Sequence, residues 1–241
     1  MVGDQWLTQN KLGLIVPSSN TAMEQEFRAM LPPDMSVHTA RIRLQKVVVA
    51  ELLKMKKDIK DEAVKLADAD VDVIGFGCTT GSLVAGHGYD DKIVEIIEKT
   101  TGKLAVATAG AVVQALKALG LSSVSVVTPY TDVLNRLERQ FLEQNGFQVD
   151  RIAGLNLVDN LKIAEVKPRT LLKLVREVDS SRADGIFISC TNLHTIAMIA
   201  RLEESLKKPV VSSNTATLWA MLGKVGKSLQ TNKYGKLFLS S

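Results

Sequence analysis

The sequence has few of the residues from which disulfide frameworks and metal centres are built. Two cysteines and three histidines are present among 241 residues, and neither Cys-x-x-Cys nor His-x-x-x-His spacing occurs. Two cysteines rarely form a structural disulfide in a chain without a secretory signal. Metal centres need more ligands at closer spacing. The sequence therefore predicts two free thiols and no metal site.

Long apolar runs and a secretory leader are also missing. The longest apolar runs are far shorter than the about 20 residues that cross a membrane as a helix. The first ten residues are polar, without the basic and then apolar segments of a signal peptide. We expect a cytoplasmic protein that does not contact membranes.

Aromatic residues are scarce, at 5% of the chain, and neither sign of charge dominates: 30 Lys and Arg stand against 26 Asp and Glu. The lysines are spread along helical segments and form no basic stripe with interleaved aromatics, which nucleic-acid binding requires. We interpret them as a solvated surface and expect no nucleic-acid partner.

What the sequence does contain is a stretch that occurs twice. Residues 72–79 read DVIGFGCT and residues 184–191 read DGIFISCT, so each apolar run ends on one of the two cysteines, 112 residues apart (190 − 78 = 112). The same spacing separates two further pairs of landmarks, namely Asp72 from Asp184 and Pro17 from Pro129. The sequence predicts two related halves, each of which brings one thiol to the same place.

Apolar, strand-like segments alternate with segments of helical periodicity in both halves. This alternation is typical of an α/β fold with parallel strands. We predict two pseudo-symmetric parallel-sheet halves with the active site in the cleft between them. The first half comprises residues 1–120 with part of the C-terminal tail (about 208–241) and carries Cys78. The second comprises residues 121–207 and carries Cys190.

Small polar residues follow five of the predicted strands. They are Ser18-Ser19-Asn20, Cys78-Thr79-Thr80, Thr128-Pro129-Tyr130, Cys190-Thr191-Asn192 and Ser212-Ser213-Asn214. Ligands of parallel α/β sheets bind at this end of the strands, and the helix N-termini that follow favour anions. No Arg or Lys lies in these loops. The pattern therefore predicts a small dicarboxylate held by amides, hydroxyls and helix dipoles.

The thiols have two interpretations. A cysteine at a helix N-terminus has a lowered pKa and is a good nucleophile, whereas a lone cysteine is often only a small buried hydrophobe. The matched positions of Cys78 and Cys190 favour function. Tyr130 either donates to the substrate or covers the edge between the halves, and His194 is either a base or a surface residue.

Several motifs resemble the aspartate/glutamate racemase superfamily, and within it the maleate cis-trans isomerases most closely. They are GLIVPSSNT at 13–21, GCTTGS at 77–82, VTPYT at 127–131, SCTNL at 189–193 and VVSSN at 210–214. The resemblance extends from about Lys11 to Gly223 and includes the tail motif at 234–237.

The resemblance implies cofactor-independent conversion of maleate to fumarate. Cys78 would add to the double bond to give a succinyl-cysteine intermediate, and Cys190 would donate and accept the proton. Asn20, Tyr130 and Asn160 would bind carboxylate. The remaining motif residues are assigned to substrate binding, namely Ser18, Ser19, Thr79, Thr80, Thr191 and Asn192. The superfamily also implies a homodimer or higher homo-oligomer.

Other activities of the superfamily remain as alternatives. They are a two-cysteine racemase and an arylmalonate-type decarboxylase acting on a related small carboxylate. A non-catalytic module that binds small carboxylates is a further alternative. The resemblance argues against the decarboxylase, because those enzymes have glycine at the position of Cys78. The racemase motifs C-N-T and C-T-H are absent. The chain differs from the isomerase pattern at Thr80, His87 and His194, which leaves the substrate open.

Overall fold

The computed structural model describes residues 10–240. The predictions made for the polar residues 1–9 and for Ser241 lie outside the described residues. The described chain contains two four-stranded sheets, and every strand in both is parallel to its neighbours.

The first sheet has the strand order β2-β1-β3-β4. Its strands are β1 (Asn10–Pro17), β2 (Met35–Ile42), β3 (Val73–Phe76) and β4 (Leu104–Ala107). Its helices are α1 (Met23–Met30), α2 (Val49–Lys54), α3 (Ile59–Asp68), α4 (Thr79–Leu83), α5 (Tyr89–Thr101) and α6 (Thr108–Ala118). The helical spacing of apolar residues from Lys46 to Ala67 predicts one long amphipathic helix there. A 3₁₀ turn, Met55–Asp58, separates it into α2 and α3.

The second sheet has the equivalent order β6-β5-β7-β8. Its strands are β5 (Ser123–Thr128), β6 (Gln148–Gly154), β7 (Gly185–Ile188) and β8 (Val210–Ser212). Its helices are α7 (Asp132–Gln144), α8 (Asn160–Ala164), α9 (Pro168–Val178), α10 (Ile196–Leu206) and α11 (Ser213–Lys224). The buried central strands are the apolar runs of the sequence, as expected where helices cover both faces of a sheet.

The spacing of 112 residues is kept in the hydrogen bonding of the two sheets. Leu12 pairs with Val73 in the first sheet, and their counterparts Val124 and Gly185 pair in the second. The carboxylate of Asp72 accepts the backbone N–H of Lys11 at 2.7 Å. In the same way, Asp184 accepts the N–H of Ser123 at 2.8 Å. The predicted α/β fold with two pseudo-symmetric halves is confirmed.

The halves join along α6 and α11, which follow equivalent strands and pack against each other. One apolar core contains residues of both sheets, such as Ile15, Phe76, Val127 and Ile188. The strand β8 belongs to the second sheet, while the helix after it packs on β3, β4 and α6 of the first half. The proposed domain boundary at residue 120 stays a prediction.

Two helix boundaries differ from the prediction around the cysteines. The polar and glycine-containing sequence after Cys78 predicts loop, but residues 79–83 form α4, for which Cys78 is the N-cap. The sequence predicts a helix from Asn192 to Leu206 after the second cysteine, but that helix, α10, begins at Ile196. The cause is a contact from the other half: the carboxylate of Glu26 accepts the N–H groups of Thr195 and Ile196. The residues near Asn192 in the sequence give no indication of this contact, because Glu26 lies 169 residues away from Thr195 along the chain.

The tail packs back on the body of its own chain. Leu237 and Phe238 are buried, and the Tyr234 hydroxyl donates to the carbonyl of Ala29 at 2.7 Å. The indole of Trp219 donates to the carbonyl of Ser240 at 3.3 Å. Within residues 10–240, no helix combines the length and the apolar character needed to cross a membrane.

Candidate active site

The first thiol lies at the carboxyl end of β3. The backbone of Cys78 is extended, with φ −146° and ψ 109°. Its Sγ accepts the N–H of Gly81 at 3.3 Å, and the Thr80 hydroxyl lies beside the sulfur and lowers its pKa. A Cβ at Gly81 would lie 2.8 Å from that sulfur, so glycine is required for this close approach. Cys78 is 5% exposed.

The second thiol lies at the carboxyl end of β7, but its backbone differs from that of its counterpart. Cys190 has φ +119°, a region that side-chain-bearing residues rarely adopt. Its Sγ accepts the N–H of Asn192 at 3.4 Å. It is 6% exposed. The two halves are therefore symmetric up to the ends of their central strands and differ at the cysteines themselves.

A serine hydroxyl connects the two cysteine loops. Ser213 Oγ accepts the hydroxyl of Thr79 at 2.8 Å and the backbone N–H of Cys190 at 3.0 Å. A second connection runs from the Thr191 hydroxyl to the carbonyl of Gly77 at 3.0 Å. All of these groups are buried. The thiols of the two halves thus belong to one hydrogen-bonded site.

Burial governs the ionisation of both thiols. Desolvation raises the pKa of Cys78 to about 11, although the N–H of Gly81 donates to its sulfur and the Thr80 hydroxyl lies beside it. Desolvation likewise raises the pKa of Cys190 to about 12, although the Tyr130 hydroxyl lies beside its sulfur and the N–H of Asn192 donates to it. The predicted lowering of the thiol pKa values is wrong for this structure, because desolvation outweighs the hydrogen bonds to the sulfurs. The helix after Cys78 has five residues, and no helix starts directly after Cys190.

Asn20 and Asn192 lock the first-half loop onto the second half. Asn20 Oδ1 caps α1 by accepting the N–H of Met23 at 3.0 Å, and its Nδ2 donates to Thr191 Oγ1 at 3.0 Å. Asn192 Oδ1 accepts the N–H of Thr21 at 2.8 Å. Both amides are buried. Both ends of each amide are therefore hydrogen-bonded within the protein, and both amides lie beside the cysteine loops.

Asn160 reaches the site from the start of α8. Its Nδ2 donates to Ser19 Oγ at 2.9 Å, and its carbonyl accepts Asn192 Nδ2 at 2.7 Å. Ser19 also donates to the carbonyl of Leu44. Ser18 lies at the exposed edge of the cluster and exchanges hydrogen bonds with Leu44. The structure brings the predicted residues together, with Ser18 on the rim; their roles in binding stay predictions.

Two backbone hydrogen bonds join the two halves beside Asn160. The N–H of Val47 donates to the carbonyl of Val158 at 2.7 Å, and the N–H of Asn160 donates to the carbonyl of Gln45 at 3.0 Å. These bonds flank an antiparallel bridge between Lys46 and Asp159. We refer to residues 45–47 and 158–160 as the clasp. It joins the β2–α2 loop of one half to the β6–α8 loop of the other.

Two tyrosines lie near the sulfurs. Tyr130 is 1% exposed, and its hydroxyl lies beside the Cys190 thiol and lowers the pKa of that thiol. Burial and then the negative charge of the Cys190 thiolate raise the pKa of Tyr130 well above its usual value. Tyr89, at the start of α5, has its pKa raised by burial and by Cys78. Sequence reasoning had singled out Tyr130 but not Tyr89, whose short glycine-containing loop gave no specific signal.

Two buried glutamates were also missed. Glu26 on α1 and Glu138 on α7 are 4% and 1% exposed, and they are separated by the same 112 residues as the cysteines. That spacing was the available signal. The histidines do not join the site: His87 is exposed, and His194 lines a surface groove with Glu26 and Arg176. Within residues 10–240, no cluster of three His, Cys, Asp or Glu side chains is suited to a metal.

Comparison with known proteins identifies the family. The model of the arylmalonate decarboxylase family matches residues 12–238. The chain belongs to the arylmalonate decarboxylase family. Its relatives include the maleate isomerase of Pseudomonas putida, which is 33% identical over 225 residues and covers 88% of this chain and 90% of the relative. The predicted resemblance to maleate isomerases is confirmed.

Solved structures of the arylmalonate decarboxylase family share this architecture. A Nocardia farcinica maleate cis-trans isomerase, a cysteine-to-serine mutant with a covalently bound succinylcysteine intermediate, superposes with a TM-score of 0.92 at 26% identity over 95% of this chain and 98% of that one. A liganded arylmalonate decarboxylase mutant, with one glycine replaced by cysteine and one cysteine by serine, gives 0.89 at 26% identity over 97% and 100%.

Proposed function

We propose that this protein is a cofactor-independent maleate cis-trans isomerase, in which Cys78 is the nucleophile and Cys190 the proton donor and acceptor. The observation that carries the proposal is the pair of thiols at equivalent strand ends, joined through Ser213 into one buried site. The maleate isomerases among the relatives and the succinylcysteine adduct of the Nocardia farcinica enzyme support the same chemistry.

The reaction balances without an oxidant or a reductant. The thiolate of Cys78 forms a C–S bond to one alkene carbon while Cys190 protonates the other, which leaves Cys190 as a thiolate. The former double bond is now single and rotates. Cys190 then removes a proton from the same carbon, the double bond re-forms, and Cys78 leaves with the electron pair of the C–S bond.

The structure supplies donors for each sulfur in its anionic form. Cys78 has Thr80 and Gly81, and Cys190 has Tyr130 and Asn192. Hydrogen bonds to a charged acceptor are stronger than neutral ones, so these donors are of most use when the thiolate forms. We assign the substrate carboxylates to amide and hydroxyl donors of the loops around Asn20, because these loops contain no Lys or Arg.

Decarboxylation of an arylmalonate-type acid is the second candidate, because the family model takes its name from that activity. The presence of two thiols distinguishes decarboxylation from cis-trans isomerisation. A decarboxylase needs one proton donor for the carbanion, whereas cis-trans isomerisation needs a nucleophile as well as a proton donor. Cys78 therefore favours the isomerase.

The deciding experiment mixes the protein with maleate, without added cofactor, and follows fumarate by proton NMR. C78A should abolish turnover. C190S should accumulate an adduct on Cys78 that mass spectrometry detects, whereas C78S should form none. Full activity of C78A would overturn the proposal. Carbon dioxide released from an arylmalonate, with maleate left unchanged, would favour the second candidate.

We also propose that the protein is a homodimer or higher homo-oligomer, on the basis of its superfamily, and that it is cytoplasmic, where its two free cysteines stay reduced. Light scattering after size-exclusion chromatography measures the oligomeric state directly, and a monomer at micromolar concentration would refute this part of the proposal. The isomerase assignment is independent of that result.

A further inference from the structure

Glu26 and Glu138 occupy equivalent positions of the two halves. The buried positions of their helices correspond at the spacing of 112, since Met23, Glu26 and Met30 of α1 match Asn135, Glu138 and Leu142 of α7. The two carboxyl groups differ in what they contact. Glu26 has a full set of hydrogen-bond donors around it, whereas Glu138 has one.

Glu26 is bonded as a carboxylate should be. Its Oε1 accepts the N–H groups of Thr195 and Ile196, and its Oε2 accepts Asn214 Nδ2 at 2.7 Å and Thr195 Oγ1 at 3.1 Å. Four donors, two of them at the N-terminus of α10, satisfy a negative charge without a cation. Glu26 is therefore a structural cap.

Glu138 has no such set of donors. Its Oε1 accepts the hydroxyl of Ser189, and its Oε2 has no hydrogen-bond partner among the described residues. A buried carboxylate with one neutral donor is unfavourable and takes up a proton instead. Burial accordingly raises the pKa of Glu138 to about 8.

The charged groups packed around Glu138 do not compensate its charge. The helix α4 contributes no ionisable side chain. On β6, Asp150 is paired with Arg182 at 2.8 Å and lies 3.9 Å from Arg151. On α7 itself, Arg139 donates to a backbone carbonyl of β6 and lies beside Glu143. The ionisable groups on which Glu138 acts are Tyr130 and Cys190.

We propose that Glu138 is a positioning residue of the reaction: as a buried neutral acid bonded to Ser189, the residue before Cys190, it adds no charge that would repel the thiolate that Cys190 forms during turnover. Its ionisation places a second negative charge near that thiolate. The thiolate of Cys190 then becomes harder to form, so proton donation to the substrate slows. The inference rests on the proposed isomerase function for its kinetic consequence only.

The kinetic test compares E138Q with the parent enzyme across pH. The glutamine side chain of this variant cannot ionise, so the ratio of kcat for E138Q to kcat for the parent should be constant below about pH 7 and rise up to about tenfold by pH 9. Ionisations shared by both proteins cancel in this ratio. E26Q is the matched control, and its ratio should not change with pH. A pH-independent ratio for E138Q would refute the proposal.

An infrared test does not depend on turnover. The spectrum of the ligand-free parent minus that of E138Q should contain the C=O band of a protonated carboxyl group at neutral pH, and the band should vanish as pH rises through about 8. If E138Q fails to fold, S189A replaces it: without its one donor, the acid should keep that band to higher pH. A parent without the band overturns the inference, whereas a parent with the band that leaves maleate unchanged overturns only the isomerase assignment.

Discussion

The backbone of Cys190 sets the two thiols apart at the scale of single residues. Cys78 lies in an ordinary extended conformation, whereas Cys190 has φ +119°. Such a conformation costs about 1–3 kcal/mol for a residue with a side chain and persists only where its surroundings impose it. The bond from its N–H to Ser213 is one such constraint. The molecule thus retains a strained residue at the position where the thiol is required.

The strain predicts unequal effects of two inactivating substitutions. C190G should have a free energy of unfolding about 1 kcal/mol higher than that of C190A, because glycine adopts positive φ without the clash of a Cβ. Urea unfolding of both variants measures the difference. C78G and C78A serve as the control pair, since at Cys78 glycine should be the less stable of the two. Equal stability of the Cys190 variants would show that the conformation is not strained.

The raised pKa of Cys78 predicts how its reactivity depends on pH. A thiol with a pKa of about 11 is protonated at neutral pH, and its thiolate fraction grows tenfold with each pH unit below that value. The rate constant for alkylation by iodoacetamide in C190S should therefore rise through pH 7–10 without a plateau. A plateau that begins near neutral pH would show that the ligand-free site already stabilises the thiolate.

Contacts between halves decide where elements begin. Glu26 on α1 supplies the cap of α10, and Asn192, beyond β7, binds the N–H groups at the start of α1. Each helix therefore depends for its N-terminus on a side chain of the other half.

Removal of the Glu26 cap should destabilise the whole chain. E26A leaves buried N–H donors at Thr195, Ile196 and Asn214 without an acceptor, and the expected loss is about 3 kcal/mol of unfolding free energy. Urea denaturation followed by circular dichroism measures it. E51Q, which removes an exposed ion pair with Lys54, should leave the unfolding midpoint unchanged. An equally small effect of E26A would mean that water replaces the cap.

The sequence predicts those elements best whose ends are set by neighbours along the chain. Asn145-Gly146 predicts the end of α7, which stops at Gln144, and Pro168 predicts the start of α9, which begins there. The helix α4 and the start of α10 were missed because their boundaries depend on distant contacts. The same holds for the site: its cysteines are visible as a repeat, but the bridging role of Ser213 and the different hydrogen bonding of Glu26 and Glu138 require the packed structure.

The two halves share their interior at the scale of the whole molecule. Apolar side chains of both sheets meet in one core, and α6 packs on α11 where the halves join. Few contacts cross the boundary between two independent domains. Separation of these two halves would instead expose the apolar core that they share. We therefore expect the halves to unfold together.

A single-tryptophan variant tests this cooperativity. In W6F, Trp219 on α11 is the one remaining tryptophan. Urea transitions followed by its fluorescence and by far-ultraviolet circular dichroism should coincide, with one midpoint. Two separate midpoints would show that the halves are independent folding units.

The clasp has a consequence for the origin of the molecule. In the clasp, residues 45, 46 and 47 pair with residues 160, 159 and 158, respectively. The strand β6 has one extra residue opposite Val124–Val126, so the spacing of equivalent positions after it is 113 (112 + 1 = 113), and residues 45, 46 and 47 correspond to 158, 159 and 160. The same three positions of each half therefore pair with one another. Residue i of one half thus contacts j of the other, and j contacts i, which is the rule of an isologous dimer interface. The two bonds use only backbone atoms, so two identical subunits would form them without adaptation. A homodimeric ancestor would therefore already possess the clasp. After fusion of its two subunits into one chain, the side chains of each half would be free to diverge, because the same pair of backbone hydrogen bonds would still join the halves.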